Sequence, residues 1–165
     1  MLAQTYGSGD GFLSRSKGRS THNELKQWLL NLGKKVKDAK GNPYYKVYSG
    51  DSEPVDIRLG KRHIPYQPDV IWDRKGKLYL IELAFNEDWR SIVGELAAAS
   101  ALKNLGRIFI VTYGWSDDFI SDVISLFGEK FNIRWASHNF SEDEYLDVAY
   151  IKNKVKQDLK KWEWI

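Results

Sequence analysis

PDVIWDRKGKLYLIELAF, residues 68–85, is the stretch that decides the fold of this 165-residue chain. Two apolar runs, 68–73 and 78–85, flank the basic, glycine-containing sequence RKGK, which is typical of a tight hairpin turn. The two runs are therefore predicted to be antiparallel neighbours in a sheet. The second run is apolar along most of its length, which is typical of a central strand covered on both faces.

An alternation of helices and strands follows the hairpin. Residues 86–88 can cap a helix whose apolar side chains recur at helical spacing until Gly106 ends it. A buried strand is predicted at 107–113, and because a helix joins it to the strand at 78–85, the two strands are expected to be parallel. The remaining predicted elements are a helix at 116–127, a strand at 131–137 and a basic amphipathic helix at 151–164.

A helix and a strand are predicted before the hairpin. Ser20 or Thr21 can start the helix, and Glu24 lies three residues after Thr21, as in a capping box. The chain then continues as a strand at 44–50 and as a loop or a short ribbon across 51–65. Together these elements predict an α/β fold in which helices flank a central mixed sheet.

The composition predicts a soluble, intracellular protein. Hydrophobic residues make up 42% of the chain, which is enough for a buried core. No apolar run reaches the roughly 20 residues that span a bilayer, and no signal peptide is expected at the N-terminus. The Gly- and Ser-rich residues 1–18 are expected to form a flexible arm, with 19–165 as a single domain. The chain has no cysteine, which excludes disulfides and thiolate metal sites.

The basic residues are compatible with a nucleic-acid partner. The net charge is +3, and lysines and arginines gather in short runs. Such runs are typical of solvated surfaces as well as of phosphate contacts. The residues predicted to contact DNA are Arg58, Lys61 and Arg62 in the possible ribbon and Arg15, Lys17 and Arg19 in the N-terminal arm.

Two carboxylates are predicted to meet at one end of the hairpin. Asp69 and Glu82 are equidistant from a turn centred between residues 75 and 76, and directly paired residues have Cβ atoms about 5 Å apart. Like charges at that distance repel unless a proton or a cation lies between them. Oxygen ligands suit Mg²⁺ or Mn²⁺, which can activate water at a phosphorus centre. The structural alternatives are a strand-end role for Asp69 and an arginine partner for a buried Glu82.

These residues, in an α-β-β-β-α-β order, resemble the PD-(D/E)xK nuclease superfamily, which has the restriction-endonuclease-like fold. The resemblance covers roughly residues 20–137 and implies a metal-dependent DNA endonuclease. It implies that Asp69 and Glu82 are catalytic metal ligands and that the backbone carbonyl of Leu83 is a further ligand. An acid on the first helix often completes the site in this family, and Glu24 is the matching residue.

The resemblance breaks at Ala84, where the family has a lysine that orients the attacking water or stabilises developing charge. Three interpretations stay open. The cation has moved, to Arg90 on the next helix or to Lys61 or Arg62, and Glu95 supplies a further catalytic acid. Alternatively, the chain is a degenerate member that binds nucleic acid or acts as a scaffold without cutting. Or position 84 has been altered to inactivate the protein.

Partners follow from the same interpretations. A small nuclease that cuts both strands is expected to act as a homodimer, alone or within a larger DNA-processing complex, and without a membrane. A different class of function is a protein–protein adaptor that docks through the Trp-rich C-terminus. The three histidines, His22, His63 and His138, show no metal-ligand spacing and are interpreted as surface or hydrogen-bonded residues. His63, near Asp69 in sequence, is the one considered as a proton shuttle.

Overall fold

The structure is a computed structural model that describes residues 12–85, 87–115 and 118–165, with side chains from Ser20 onward. The helices are α1 (Phe12–Lys35), α2 (Trp89–Ser100), α3 (Phe119–Lys130), α4 (Glu142–Tyr145) and α5 (Val148–Lys161). The strands are β1 (Lys46–Tyr48), β2 (Val55–Leu59), β3 (Arg62–Tyr66), β4 (Val70–Arg74), β5 (Lys77–Ala84), β6 (Leu105–Tyr113) and β7 (Trp135–Phe140). Within the described ranges, no helix is both long and apolar enough to cross a membrane.

A five-stranded mixed sheet in the order β1-β4-β5-β6-β7 forms the centre of the fold. β4 pairs antiparallel with both β1 and β5, whereas β5, β6 and β7 run parallel to one another. The predicted α/β class and mixed sheet are therefore confirmed. The antiparallel β4–β5 hairpin and the parallel pairing of β5 with β6 are also as predicted.

The turn between β4 and β5 fixes their register. Lys75 and Gly76 both have positive φ angles, 53° and 91°, which is the pattern that a type I′ turn requires. Val70 consequently lies opposite Ile81, and the other pairs of the hairpin follow in step. The register predicted from a turn centred between residues 75 and 76 is confirmed, so the two acids form the next pair beyond Val70 and Ile81.

Alternate side chains of the central strands form two cores on opposite faces of the sheet. In β4, Val70 and Trp72 lie in one core and Ile71 lies in the other, as the two-residue period of a strand requires. The sheet is therefore the middle layer of three. Helices α1 and α5 cover the first core with Leu25, Leu29, Ile151, Val155 and Leu159, and α2 and α3 cover the second with Ile92, Leu96, Ile120 and Ile124.

Gly33 allows α1 to lie close to the sheet. A Cβ atom at this position would lie 2.5 Å from Nε1 of Trp72 and 2.8 Å from Cγ2 of Val47. Because interiors are close-packed, a larger residue would push α1 away from Trp72, which is fully buried. Glycine inside a helix is unfavourable by about 1 kcal/mol relative to alanine, and the close approach of helix and sheet explains its presence here.

Helix α1 begins earlier than predicted. Ser20 and Thr21 lie within it rather than at its start, so the predicted capping box of Thr21 and Glu24 is wrong. Residues 12–18, which the composition assigns to the arm, are helical, because the low helix propensity of Gly and Ser is a weak constraint. Residues 1–11 of the predicted arm lie outside the described residues.

Other boundaries also differ from the prediction. α2 ends well before Gly106, which lies in β6, where a Cβ atom would come 3.0 Å from a carbonyl oxygen of β5. β7 starts at Trp135 rather than at residue 131. Ser116, the predicted start of the third helix, lies outside the described residues, and α3 is described from Phe119. The last helix begins at Val148, and the short α4 before it was not predicted.

Strands β2 and β3 form a separate two-stranded antiparallel sheet, which we call the ribbon, residues 55–66. Segment 51–65 is predicted as a loop or a short ribbon, and the ribbon is what forms. Its two-residue turn starts at Gly60, whose φ of 63° glycine adopts without strain. The ribbon ends at Tyr66, three residues before Asp69, and therefore leads directly to the acid pair.

Candidate active site

Asp69 and Glu82 lie side by side where β4 is about to begin and β5 nears its end. The backbone N–H of Asp69 donates to Oε1 of Glu82 over 2.8 Å, and the backbone N–H of Leu83 donates to Oδ2 of Asp69 over 2.8 Å. Each carboxylate therefore holds the main chain of the opposite strand. The predicted proximity of the two acids is confirmed, and the hairpin register is its cause.

Glu82 is a buried carboxyl group. It is 4% exposed, and its Oε2 accepts a hydrogen bond of 3.1 Å from the hydroxyl of Tyr66, the last residue of the ribbon. Burial and the charge of Asp69 raise the pKa of Glu82 well above its usual value, although the two hydrogen bonds that it accepts oppose this shift. Its described partners are a backbone N–H and a phenol, so the alternative of an arginine partner is not observed.

Two further glutamates, Glu87 and Glu95, join the acid pair. Glu95 lies on α2, and Glu87 immediately precedes Asp88, the N-cap of that helix. Burial, the charge of Glu82 and a hydrogen bond to Glu87 raise the pKa of Glu95 to about 12, and burial raises the pKa of Glu87. Oε2 of Glu95 is buried and has no hydrogen-bond partner in the described part of the chain. Glu95 therefore retains its proton at neutral pH, because another charge beside Glu82 would be costly in a buried site.

His22 lies beside the acid pair, a placement that sequence reasoning missed. Its Nε2 lies 3.2 Å from Oδ1 of Asp69, and the edge of its ring packs against Phe85 with centroids 6.1 Å apart. The hydrogen bond to Asp69 raises the pKa of His22, and burial partly opposes the shift. The sequence did contain a signal for this placement, because helical spacing puts His22, Leu25 and Leu29 on one face of α1. The two leucines are buried, so this is the face that packs against the sheet.

Glu24, the acid predicted from the first helix, lies outside this cluster. Its Oε2 is 2.9 Å from Nζ of Lys152, and half of its side chain is exposed. Helix α1 thus presents His22 to Asp69, and Glu24 joins α1 to α5 at the surface. The further acid of the cluster comes instead from α2, as Glu95.

Arg90 does not contact the acid cluster in the described part of the chain. Its side chain is 69% exposed, and Nη1 lies 3.8 Å from Oδ2 of Asp88. Lys61 and Arg62 lie exposed at the turn of the ribbon. Ala84 is buried in the core that α2 covers, two residues after Glu82 and so on the same face of β5.

The residues predicted to contact DNA lie on two elements. The first group is exposed on the ribbon and consists of Arg58, Lys61 and Arg62. The second group has its backbone in α1, with side chains outside the described part, and consists of Arg15, Lys17 and Arg19. Trp164 belongs to the Trp-rich C-terminus through which the adaptor interpretation has the protein dock. It is buried and packs against Trp72 with ring centroids 5.9 Å apart. Trp164 is therefore not available as part of a docking surface for an adaptor.

The acid cluster fits a divalent cation in ligand type and in charge. Its donors are carboxylate oxygens, which Mg²⁺ and Mn²⁺ prefer, and burial together with repulsion from neighbouring acids raises the pKa values of Glu82 and Glu95. The unpartnered Oε2 of Glu95 is a further free donor. In the positions described for residues 12–85, 87–115 and 118–165, no three His, Asp or Glu side chains already converge to hold a metal ion. Binding would thus require Glu95 to lose its proton and the cluster to contract.

No family model, curated protein or solved structure matches the chain. What the site can do follows from its own groups. The side chains of Asp69 and His22 remain 23% and 26% exposed, so solvent or a ligand can reach this side of the cluster, whereas Glu82 is closed off by Tyr66. A partly open, strongly acidic site attracts cations and repels a phosphate whose charge is not offset.

Proposed function

We propose that the protein is a metal-dependent DNA endonuclease with a restriction-endonuclease-like core, which hydrolyses phosphodiester bonds at Asp69 and Glu82. The observation that carries the proposal is the pair of reciprocal hydrogen bonds that fix these two carboxylates on adjacent strands. Because the chain itself orients these two carboxylates, the rearrangement that a ligand would require falls on the rest of the cluster. The resemblance to the PD-(D/E)xK superfamily supports the same assignment.

Mg²⁺ or Mn²⁺ is the proposed cofactor. Asp69, Glu82 and the carbonyl oxygen of Leu83 would hold it, and Glu95 would provide the further acid in place of Glu24. The carbonyl of Leu83 also accepts a hydrogen bond of 3.0 Å from the backbone N–H of Phe85. When bound, such an ion lowers the pKa of a coordinated water and stabilises negative charge on the phosphate.

The chain's own residues orient the ligands and control their charge. His22 contacts Oδ1 of Asp69 while the N–H of Leu83 holds Oδ2, so the carboxylate plane is fixed from both sides. Tyr66 and the N–H of Asp69 fix Glu82 in the same way. His22 and Tyr66 are therefore positioning residues, and their hydrogen bonds hold the two carboxylates in fixed orientations.

DNA is the proposed substrate, and a homodimer is the proposed active form. Cutting both strands of a duplex requires two sites, and a two-fold dimer supplies them with opposite orientations. The dimer would act on DNA inside the cell, alone or within a larger DNA-processing complex.

A catalytically degenerate nucleic-acid-binding or scaffolding protein on the same fold is the second candidate. Ala84 favours it, because alanine cannot supply the cation that the family's lysine provides, and exposed Arg90 contacts Asp88 rather than the acid cluster. This candidate predicts salt-dependent DNA binding that does not require Asp69 or Glu82.

A cleavage assay separates the two candidates. Plasmid, branched and single-stranded DNA are incubated with Mg²⁺, with Mn²⁺ and with chelator, for the wild type, Asp69→Asn and Glu82→Gln. Glu24→Gln is the matched control, since it removes an acid that lies outside the cluster. Metal-dependent cutting that is lost in the first two variants and kept in the control is the result expected for a nuclease.

Metal binding supplies a second readout that does not depend on turnover. Titration calorimetry with Mn²⁺ is expected to show binding to the wild type and to Glu24→Gln, with at least a tenfold loss of affinity in Glu82→Gln. If no metal binds and DNA binding is unchanged in all variants, the nuclease is excluded and the degenerate protein stands.

A further inference from the structure

The ribbon has two different faces. Val55, Ile57 and Leu59 lie on one face, and their cross-strand partners are Tyr66, Ile64 and Arg62. Near the body of the protein this face is buried, since Ile57 and Tyr66 join the core that α2 covers. Toward the tip it is uncovered, since Leu59 is 55% and Ile64 is 42% exposed. The apolar face therefore extends beyond the core that it helps to form.

The same tip is basic. Arg62 lies on the apolar face opposite Leu59, Lys61 lies in the turn, and Arg58 lies on the polar face opposite His63. All three are exposed, and none has a carboxylate partner among the described residues. The ribbon's one acid, Asp56, is paired with His63 on its polar face. A ribbon with cations on both faces and in its turn, and with an uncovered apolar tip, is suited to a groove that has anions along both edges and apolar surface between them.

The dimensions of the ribbon suit the major groove of B-form DNA. Five paired residues at about 3.4 Å each give a length of about 17 Å. The major groove, about 12 Å wide, admits a two-stranded ribbon, whereas the deep, narrow major groove of A-form RNA does not. Phosphates line the edges of the groove, and thymine methyl groups provide apolar contacts at its floor.

We infer that the ribbon is a groove-binding arm that selects duplex B-form DNA as the substrate and places its backbone beside Asp69 and Glu82. Arg58, Lys61 and Arg62 contact phosphates, and Leu59 and Ile64 contact the groove. The placement follows from the root of the ribbon, where Tyr66 donates its hydrogen bond to Glu82. The cleavage part of this inference rests on the proposed function, whereas the binding part does not.

Charge argues against a second copy of the chain as the occupant of the tip. A two-fold contact between the apolar faces of two ribbons would bring Lys61 and Arg62 close to the same cations of the other copy, and like charges in direct apposition are repulsive. A nucleic acid offers the opposite charge.

Fluorescence anisotropy in the presence of chelator tests binding apart from cleavage. The probes are a 30-base-pair DNA duplex, the same sequence as single-stranded DNA, and a duplex RNA of equal length, each titrated over a range of salt concentrations. The test variant is R58Q/K61Q/R62Q. The matched control is K34Q/K35Q/K40Q, which removes three equally exposed charges around the end of α1. Thermal melts of both variants verify that the fold is kept.

The wild type is expected to bind duplex DNA more tightly than either other probe. Each phosphate contact adds about 0.9 to the magnitude of the slope of log affinity against log salt concentration. The ribbon variant lacks three such contacts, so the magnitude of its slope should fall by about 2.7, and that of the control variant should change little. L59S/I64S should weaken duplex binding about tenfold with the slope unchanged. Equal effects of the ribbon and control variants, or equal binding of the three probes, would overturn the inference.

The two proposals fail separately. If duplex binding depends on the ribbon but no DNA is cut under any metal condition, the nuclease is excluded and the groove-binding arm remains. If DNA is cut and the ribbon variants cut and bind as the wild type does, the arm is excluded and the nuclease remains.

Discussion

The hydroxyl of Tyr66 lies 3.1 Å from Oε2 of Glu82 and joins the root of the ribbon to the acid pair. The same hydroxyl lies 3.5 Å from the backbone carbonyl oxygen of Glu95. One phenol thus connects β3, β5 and α2, three elements that would otherwise meet through apolar side chains and mutually repelling carboxylates. Burial raises the pKa of Tyr66, so the phenol stays neutral and acts as a donor.

Tyr66→Phe is expected to destabilise the fold. The change removes a hydrogen bond and leaves a buried oxygen of Glu82 without its donor, at a cost of about 1–3 kcal/mol in the free energy of unfolding. Urea denaturation at pH 7 measures the change. Tyr48→Phe, at a partly buried tyrosine of the same core, is the control and should cost less than about 0.5 kcal/mol. Equal losses in the two variants would mean that the bond to Glu82 contributes nothing.

Glu95 should make stability depend on pH. Its pKa rises from 4.5 to about 12 on folding, so between these values the unfolded chain has lost a proton that the folded chain keeps. The contribution of Glu95 to the free energy of unfolding is therefore fully present below pH 4.5. It is lost as the pH rises, by up to about 1.4 kcal/mol per pH unit. Urea denaturation at pH 5, 7 and 9 should show this slope in the wild type and a shallower one in Glu95→Gln.

The control for Glu95 is Glu24→Gln, which removes an exposed carboxylate and should leave the slope unchanged. Mn²⁺ should flatten the wild-type slope, because a cation stabilises the ionised carboxylates. If the slope is identical in the wild type and in Glu95→Gln, Glu95 does not keep its proton in the folded protein.

If the proposed nuclease activity is present, His22 should affect cleavage much more than stability. His22→Leu keeps the bulk that contacts Phe85 but removes the contact with Oδ1 of Asp69, and loss of a positioning residue typically costs 10- to 100-fold in activity. His22→Gln retains an N–H donor and should recover part of the lost rate. Rates on plasmid DNA and urea denaturation should be measured for both variants. Wild-type rates in both would exclude the positioning role.

Lysine at position 84 tests whether the acid cluster reaches that position. Ala84 is buried, so Ala84→Lys and Ala84→Met should both destabilise the fold, by about 1–3 kcal/mol from overpacking. Because Glu82 shares this face of β5, its carboxylate should offset the buried ammonium, and lysine should be the less destabilising of the two. If methionine is better tolerated at every pH, the acids do not face position 84.

Replacing either of two helical glycines by alanine should change the stability of the fold, and in opposite directions. Gly33→Ala places a Cβ atom 2.5 Å from Trp72, whereas at Gly94 a Cβ atom would meet nothing within 4 Å. Gly94→Ala should therefore stabilise the protein by about 0.5–1 kcal/mol through helix propensity. Gly33→Ala should destabilise it by at least about 1 kcal/mol despite the same gain. Melting temperatures of the two variants decide the matter, and a rise in both would exclude the close contact of α1 with the sheet.

The hairpin and its acids could be predicted because their geometry is local. RKGK specifies a two-residue turn, the turn specifies the register, and the register specifies that Asp69 lies beside Glu82. No distant part of the chain is needed for any of these steps. The same locality made Asp88 predictable as a cap, where it accepts hydrogen bonds from the N–H groups of Arg90 and Ser91.

The contribution of α1 could not be predicted in the same way. Glu24 was chosen for its charge, yet the face of a helix that meets the sheet is decided by its buried residues, and these place His22 at Asp69. Glu87 was missed because its burial depends on how α2 docks against the sheet. The spacing of Leu25 and Leu29 indicates which face of α1 is buried, but not that this face meets Asp69. Both errors concern which distant element a face packs against, and local patterns do not report that.

The short turn at Lys75 and Gly76 also has a consequence for the order of folding. A hairpin closed by two residues forms within about 1–10 μs, whereas α1 must close a loop of several tens of residues before His22 meets Asp69. We therefore expect the acids to come together while water still surrounds them and screens their repulsion. The electrostatic cost arises later, when α2 docks and excludes that water, which makes helix docking the step whose rate should respond to divalent ions.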